Sequence, residues 1–140
     1  MQSKIDSFTG KYFFLSNFYN HSFMFDGLPY FNAEAAFQAQ KTKDERVRLQ
    51  FTDMQAKDAK AAGKKIALRE DWDAVKDDAM YRICKEKFMQ SRKLKAWLLA
   101  TGDAELEEGN TWGDCYWGVC RGIGRNKLGR ILMRVREDLQ

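Results

Sequence analysis

The sequence predicts an α+β fold: a single, mostly helical domain over residues 1–140, with a small antiparallel β element near the N-terminus. Three observations carry this expectation. Asp26-Gly27 lies between two apolar stretches, residues 22–25 and 28–31, and Asp-Gly in that setting is a strong two-residue hairpin signal. After Asn32 the apolar spacing turns helical. At the C-terminal end Leu128, Ile131, Leu132, Val135 and Leu139 form one apolar stripe, with Arg130, Arg134 and Glu137 on the opposite face.

Each element has a local reason. Pro29 cannot donate to a strand ladder, so it places the second hairpin strand at a sheet edge. Asn32 is a suitable N-cap for a helix running through Glu34 to about Gln40. Asp53 is placed to cap an Ala-rich helix that Gly63 ends. Asp73 is placed to start a third helix, in which Met80, Cys84 and Phe88 recur at four-residue spacing. Ser91 starts another with Leu94, Trp97 and Leu98, which Gly102 ends. Asn126 is expected to cap the last helix. No internal repeat, low-complexity tract or linker interrupts the chain.

Composition narrows the function classes. With 44% apolar, 14% aromatic and 31% charged residues, the chain is ordinary for a globular protein and unlike a disordered one. At 140 residues it buries roughly two thirds of its unfolded surface, enough to fold without metal or disulfide. No apolar run reaches the ~18 residues of a membrane span, and residues 1–10 lack the apolar core of a secretory signal. Three cysteines are an odd number, which suits reduced thiols and a cytoplasmic setting. With one histidine, a zinc site would need His21, Cys84, Cys115 and Cys120 to converge without any CxxC pair, so neither metal nor cofactor is expected. Asp, Glu, Lys, Tyr and backbone groups remain as chemical agents. The net charge of +4 suits an anionic partner, either nucleic acid or a phosphate-bearing small molecule.

Three constellations carry possible chemistry. In residues 30–41, Glu34, Phe37, Gln38 and Lys41 share a helical stripe about 100° wide, while Ala35, Ala36 and Ala39 occupy much of the other side. A carboxylate and an amine two turns apart are able to act on one ligand; equally, Glu at the first turn and Lys at the last simply suit the helix dipole. In residues 114–129, Asp114, Tyr116, Trp117 and four glycines precede a helix, with Arg121, Arg125 and Lys127 nearby. Such a loop is either a phosphate cradle or a tight turn ended by a cap. The third set is Lys57, Lys60, Lys64, Lys65, Arg69, Lys85, Lys87, Arg92, Lys93 and Lys95; interleaved acids make it read as a solvated face rather than a nucleic-acid patch.

Together, Phe14-Leu-Ser-Asn-Phe-Tyr19, Glu34-Ala-Ala-Phe-Gln-Ala-Gln-Lys41, Asp114-Cys-Tyr-Trp-Gly118, Gly124-Arg-Asn-Lys-Leu-Gly129 and Leu132-Met-Arg-Val-Arg136 resemble the NADAR, or YbiA-like, family. Residues 72–80 and Lys87-Phe88 also look like that family's central helix. The resemblance spans about residues 12–139, in the family's order. It implies a YbiA-like domain that hydrolyses N-glycosidic bonds without a cofactor. The implied substrates are phosphoribosylamino-pyrimidine intermediates of riboflavin synthesis, or ADP-ribose attached to guanine, free or within nucleic acid. It also implies catalytic roles for Glu34, Lys41 and Asp114, and substrate binding by Asn17, Phe18, Trp117, Gly118, Arg125, Asn126 and Lys127. Val119 and Cys120 stand where some members have Asp and Gly, and the chain is one residue shorter before Asn126; this bears on substrate subtype more than on reaction type. The competing expectation is a non-catalytic module that holds ADP-ribose or nucleic acid.

Overall fold

A computed structural model describes residues 3–140, which form a mixed helix-and-strand fold arranged as two compact units. In chain order it contains β1 (Lys4–Ile5), a 3-10 turn (Gly10–Leu15), β2 (Asn20–Phe25), β3 (Leu28–Asn32) and α1 (Ala33–Ala39). Then come α2 (Glu45–Leu49), a second 3-10 turn (Gln50–Asp53), α3 (Ala56–Gly63), α4 (Trp72–Met89) and α5 (Arg92–Ala100). The chain closes with β4 (Glu105–Leu106), β5 (Gly109–Asn110), β6 (Val119–Cys120) and α6 (Lys127–Asp138). No helix among the described residues is long and apolar enough to cross a membrane.

Residues 17–90 form one unit. Its hairpin pairs β2 antiparallel to β3, and Asp26 and Gly27 both take positive φ, 48° and 83°, as a type I′ turn requires. Met24 faces Pro29, so the missing proline N–H falls where the ladder needs none. The outward N–H and C=O of Met24 instead meet the Gln90 side-chain amide, each at 2.8 Å. Phe23, Phe25 and Tyr30 are buried on one hairpin face. Asn32 caps α1 as expected, its Oδ1 accepting from Ala35 N–H at 2.8 Å.

Several helix starts differ from expectation. Asp53 ends a 3-10 turn, and α3 begins after Gln55, whose side chain accepts from Asn20 at 3.1 Å instead of capping. Helix α4 begins at Trp72, one residue earlier than Asp73 suggested, and Asp71 ahead of it gives its carboxylate to Arg69 at 2.6 Å. Gln55 is taken by a tertiary partner and Asp71 by a neighbour two residues away. Met80, Cys84 and Phe88 are buried together with Ile83, as their spacing required.

Lys87 corrects the reading of the basic residues as a solvated face. It follows Ile83 by four positions and Cys84 by three, so it lies within the buried stripe and is only 2% exposed. Its ammonium sits 5.1 Å from the Phe88 ring centroid and 5.8 Å from that of Tyr19. Burial pushes the Lys87 pKa down to about 8, and pushes that of the neighbouring Cys84 thiol up to about 12.

The second unit comprises residues 3–16 and 91–140. Ser91 caps α5 as expected, accepting from Leu94 N–H at 3.1 Å, and Gly102 follows that helix with φ of 65°. Leu128, Leu132 and Val135 are buried along α6, with Ile131 and Leu139 half-buried. Two pairings add to the single β element expected: β1 runs parallel to β4, and β5 parallel to β6. Each involves two-residue strands distant in sequence, too short to leave a periodic signal. Asn126 does not cap α6. It takes a left-handed conformation, φ 52°, and its side chain accepts from Glu108 N–H at 3.0 Å and donates to Leu106 C=O at 2.9 Å.

A lysine with a lowered folded pKa destabilises the fold fully below that pKa, and the penalty shrinks as pH rises from there towards the unfolded value. Between pH 7 and 9 the stability of the wild-type protein should therefore rise relative to Lys87→Met, with a slope approaching about 1.4 kcal/mol per pH unit. Above pH 9 the Cys84 thiol works in the opposite direction, because the unfolded thiol ionises first. Chemical denaturation of both proteins at pH 7, 8 and 9 measures the difference; a pH-independent difference contradicts the buried-cation account.

Candidate active site

In residues 17–90, α1 is built to expose one stripe. Ala33, Ala35, Ala36 and Ala39 are wholly buried, and Phe37 packs on Trp72 with ring centroids 5.1 Å apart. Half-buried Glu34 and Lys41 flank Gln38, which is only 6% exposed. The Gln38 Nε2 donates to Glu34 Oε2 at 2.6 Å. Gly63 lets α3 come this close: a Cβ there would run into the Gln38 amide.

The backbone at both ends of this stripe is held. Asn17 C=O accepts from Glu34 N–H at 3.0 Å, and Lys41 C=O accepts from Arg69 N–H at 2.8 Å. The Asn17 side chain points into the core, its amide nitrogen 3.3 Å from Met80 Sδ, so what this residue presents to Glu34 is its carbonyl. Phe18 lies beside it, with the Lys60 ammonium 5.9 Å from its ring centroid. The Lys41 ammonium lies 3.5 Å from Gly63 C=O. Its pKa is lowered: burial is the main cause, Lys64 adds to it, and the Glu34 charge opposes it without prevailing. An amine that loses its proton more easily is closer to a nucleophile.

In the other unit, residues 110–118 fold around Asp114. Its Oδ1 accepts from Tyr116 N–H at 3.1 Å and Trp117 N–H at 2.9 Å. Asn110 brackets the same residue, its side chain bonding both the N–H and the C=O of Asp114. Tyr116 and Trp117 meet edge to face, 4.9 Å apart, and Arg125 and Lys127 lie 5.5 and 5.6 Å from the Tyr116 ring centroid. These two expected phosphate ligands are thus gathered about one aromatic ring.

The start of α6 is not the open cradle of N–H groups that its glycines suggest. Carbonyls of Cys115, Tyr116, Trp117 and Gly118 accept from Arg125, Lys127, Leu128 and Asn126 N–H respectively, at 2.8–3.2 Å. The loop itself satisfies those donors, leaving them no capacity for phosphate. Gly118 is buried where a Cβ would strike Glu108, and Asn126 commits both side-chain polar atoms to backbone. Among the described residues, no three His, Cys, Asp or Glu side chains form a metal-holding cluster.

The NADAR domain model matches residues 6–140. The chain belongs to the NADAR family. It is 38% identical over 128 residues to the N-glycosidase YbiA of Escherichia coli, covering 89% of this chain and 79% of that protein. The N-glycosidase Npun_R5314 of Nostoc punctiforme is 34% identical, with 89% of this chain and 84% of that protein covered. The riboflavin biosynthesis protein VVA0006 of Vibrio vulnificus is 44% identical over 133 residues, 91% of this chain; the NADAR chain spans only 35% of that longer relative. The NMR structure of Escherichia coli YbiA superposes with a TM-score of 0.87 at 36% identity, covering 99% of this chain and 86% of that one. The fold expected of the NADAR chain is therefore the fold it has, and N-glycosidase, the expected class, is the name that YbiA and Npun_R5314 carry.

Within the NADAR chain, one unit carries Asn17, Phe18, Glu34 and Lys41, and the other Asp114, Trp117, Gly118, Arg125, Asn126 and Lys127. Gln38, Gly63, Lys60 and Tyr116 were not singled out as site residues from sequence. The spacing of Gln38, four residues after Glu34, was the one available signal among them.

The loop geometry separates two roles for Asp114. Asp114→Asn keeps an oxygen acceptor for the Tyr116 and Trp117 N–H groups and should melt close to wild type. Asp114→Ala should lose on the order of 1 kcal/mol, as when a capping acceptor is removed. Paired thermal melts and turnover assays check this; a turnover loss in the stable Asn variant marks the carboxylate charge itself as functional.

Proposed function

We propose that this NADAR chain is an N-glycosidase that hydrolyses the C1′–N bond of a phosphorylated ribosyl compound, with Glu34 and Lys41 as its reacting groups. The carrying observation is that the Glu34 carboxylate, in the first turn of α1, acts electrostatically on an amine of lowered pKa, Lys41, which lies two residues past the end of that helix, beside its buried alanine flank. The names of the relatives support the reaction class, and the riboflavin-linked name of one supports a ribosylamino-pyrimidine phosphate. ADP-ribosylated guanine, free or in nucleic acid, shares the same bond chemistry and is the second substrate class to try.

Cleaving C1′–N leaves the bonding pair on nitrogen and builds positive charge on the ribose. A carboxylate beside C1′ stabilises that charge and accepts a proton from the attacking water. Hydroxide adds to C1′, and the base nitrogen ends with a proton. Lys41 supplies a covalent route: its neutral amine attacks C1′ of the ring-opened ribosyl imine, the base leaves as its free amine, and water then hydrolyses the lysine imine to the sugar aldehyde and restores the lysine. Phe18 offers a stacking face. In the 110–127 region, Trp117 offers another and the Arg125–Lys127 pair suits phosphate.

Mass spectrometry of products from a panel of phosphoribosylamino-pyrimidines and ADP-ribosylated guanosine tests the activity. Binding without a released base supports a non-catalytic module instead. On a substrate that is turned over, Glu34→Gln should fold normally and lose about a hundredfold or more in rate, the scale of deleting one electrostatic stabiliser. Near-normal turnover removes Glu34 from the chemistry.

Lys41→Arg keeps the charge but cannot form an imine, because guanidinium stays protonated. A covalent role predicts that Arg fails as badly as Ala, and that borohydride added during turnover traps a sugar adduct on the peptide containing Lys41. An active Arg variant with no adduct leaves Lys41 as a charge and water as the nucleophile.

A further inference from the structure

We infer that Gln38 is a positioning residue that locks the Glu34 carboxylate in its working rotamer; this rests on the proposed role of Glu34. The hydrogen bond from Gln38 Nε2 to Glu34 Oε2, at 2.6 Å, is charge-assisted and short. It also fixes which way the amide faces. With nitrogen on the carboxylate, Gln38 Oε1 must turn the other way, against Gly63.

That orientation has a cost that shows what the residue is for. Gln38 is 94% buried, being 6% exposed, and its Oε1 has no hydrogen-bond partner among the described residues. Burying an unpaired amide oxygen is destabilising, and an apolar side chain of similar shape would avoid it. Such a side chain would fill the same space between α1 and α3 but could not hold Glu34. A residue kept for packing alone would show the reverse balance. Gly63 belongs to the same device, since its missing Cβ leaves room for the Gln38 amide. The lock also explains how Glu34 is held although it is only half-buried and Lys41 and Lys64 place positive charge nearby. A free glutamate would swing towards those cations through several rotamers; one oxygen tied to Gln38 leaves the other with a defined direction.

The test compares Glu34→Gln, Gln38→Met and Gly63→Ala with wild type, using whichever phosphoribosylamino-pyrimidine or ADP-ribosylated guanosine the wild type turns over. Gln38→Met should melt at or above the wild-type temperature, while kcat falls tenfold or more and KM stays within twofold. The Glu34 carboxyl, followed by carbon-13 NMR without substrate, should titrate higher once the N–H donor is gone. Gly63→Ala should lower kcat in the same way by displacing the amide. Gln38→Met with normal kcat and an unmoved Glu34 titration, beside an inactive Glu34→Gln, overturns the positioning role alone. A melting temperature that drops with kcat unchanged per folded molecule also overturns it, as a packing role. An active Glu34→Gln overturns both this inference and the proposed chemistry of Glu34.

Discussion

The close approach of α1 to α3 is the constraint on which the rest of residues 17–90 depends. Four fully buried alanines on α1 and the absence of a side chain at Gly63 bring the helices near enough that only one stripe of α1 meets solvent. A larger residue at any of these places would force the helices apart, since packed interiors have no spare volume. Beside that packing stand Glu34 and the buried Gln38 on α1, and Lys41 two residues past its end. The packing that stabilises the helix is therefore also what sets the surroundings of the amine: burial from the neighbouring helix lowers the Lys41 pKa, and the Glu34 charge does not offset it.

Residues 110–128 solve a different problem by a related route. The first N–H groups of a helix need acceptors, and Asn126, the residue best suited to supply one, is spent on holding Leu106 and Glu108. Loop carbonyls from Cys115 to Gly118 take over that duty. Asp114 in turn holds the N–H groups of Tyr116 and Trp117, so each segment is satisfied by the next. Tyr116, Trp117, Arg125 and Lys127 are thus presented by backbone that is already committed.

Both units hold polar groups where burial is costly. Lys87 is a cation among aromatic rings, and Arg136, 7% exposed on α6, donates to Thr101 at 2.9 Å. The arginine has a clear structural duty, tying α6 to the end of α5. Gln38 differs from both, because half of its amide is satisfied and half is not.

The sequence by itself determined what local chemistry dictates. The type I′ turn follows from Asp26-Gly27, the caps at Asn32 and Ser91 from short polar side chains, and the buried faces of α4 and α6 from apolar spacing. The motif pattern brought the family with it, and the helical stripe placed Glu34, Gln38 and Lys41 together because side chains three, four and seven positions apart share a face. Tertiary structure alone decided the rest. Two-residue parallel pairings depend on partners about a hundred or ten positions away, and no local signal encodes them. Asp53 and Asn126 looked like caps, but Asp53 lies within a 3-10 turn and Asn126 bonds Leu106 and Glu108, because a short polar side chain serves the nearest unsatisfied group that folding brings to it. The burial of Lys87, the lowered pKa of Lys41 and the direction in which Gln38 faces all depend on what stands on the far side of the helix, and only the folded chain supplies that neighbour.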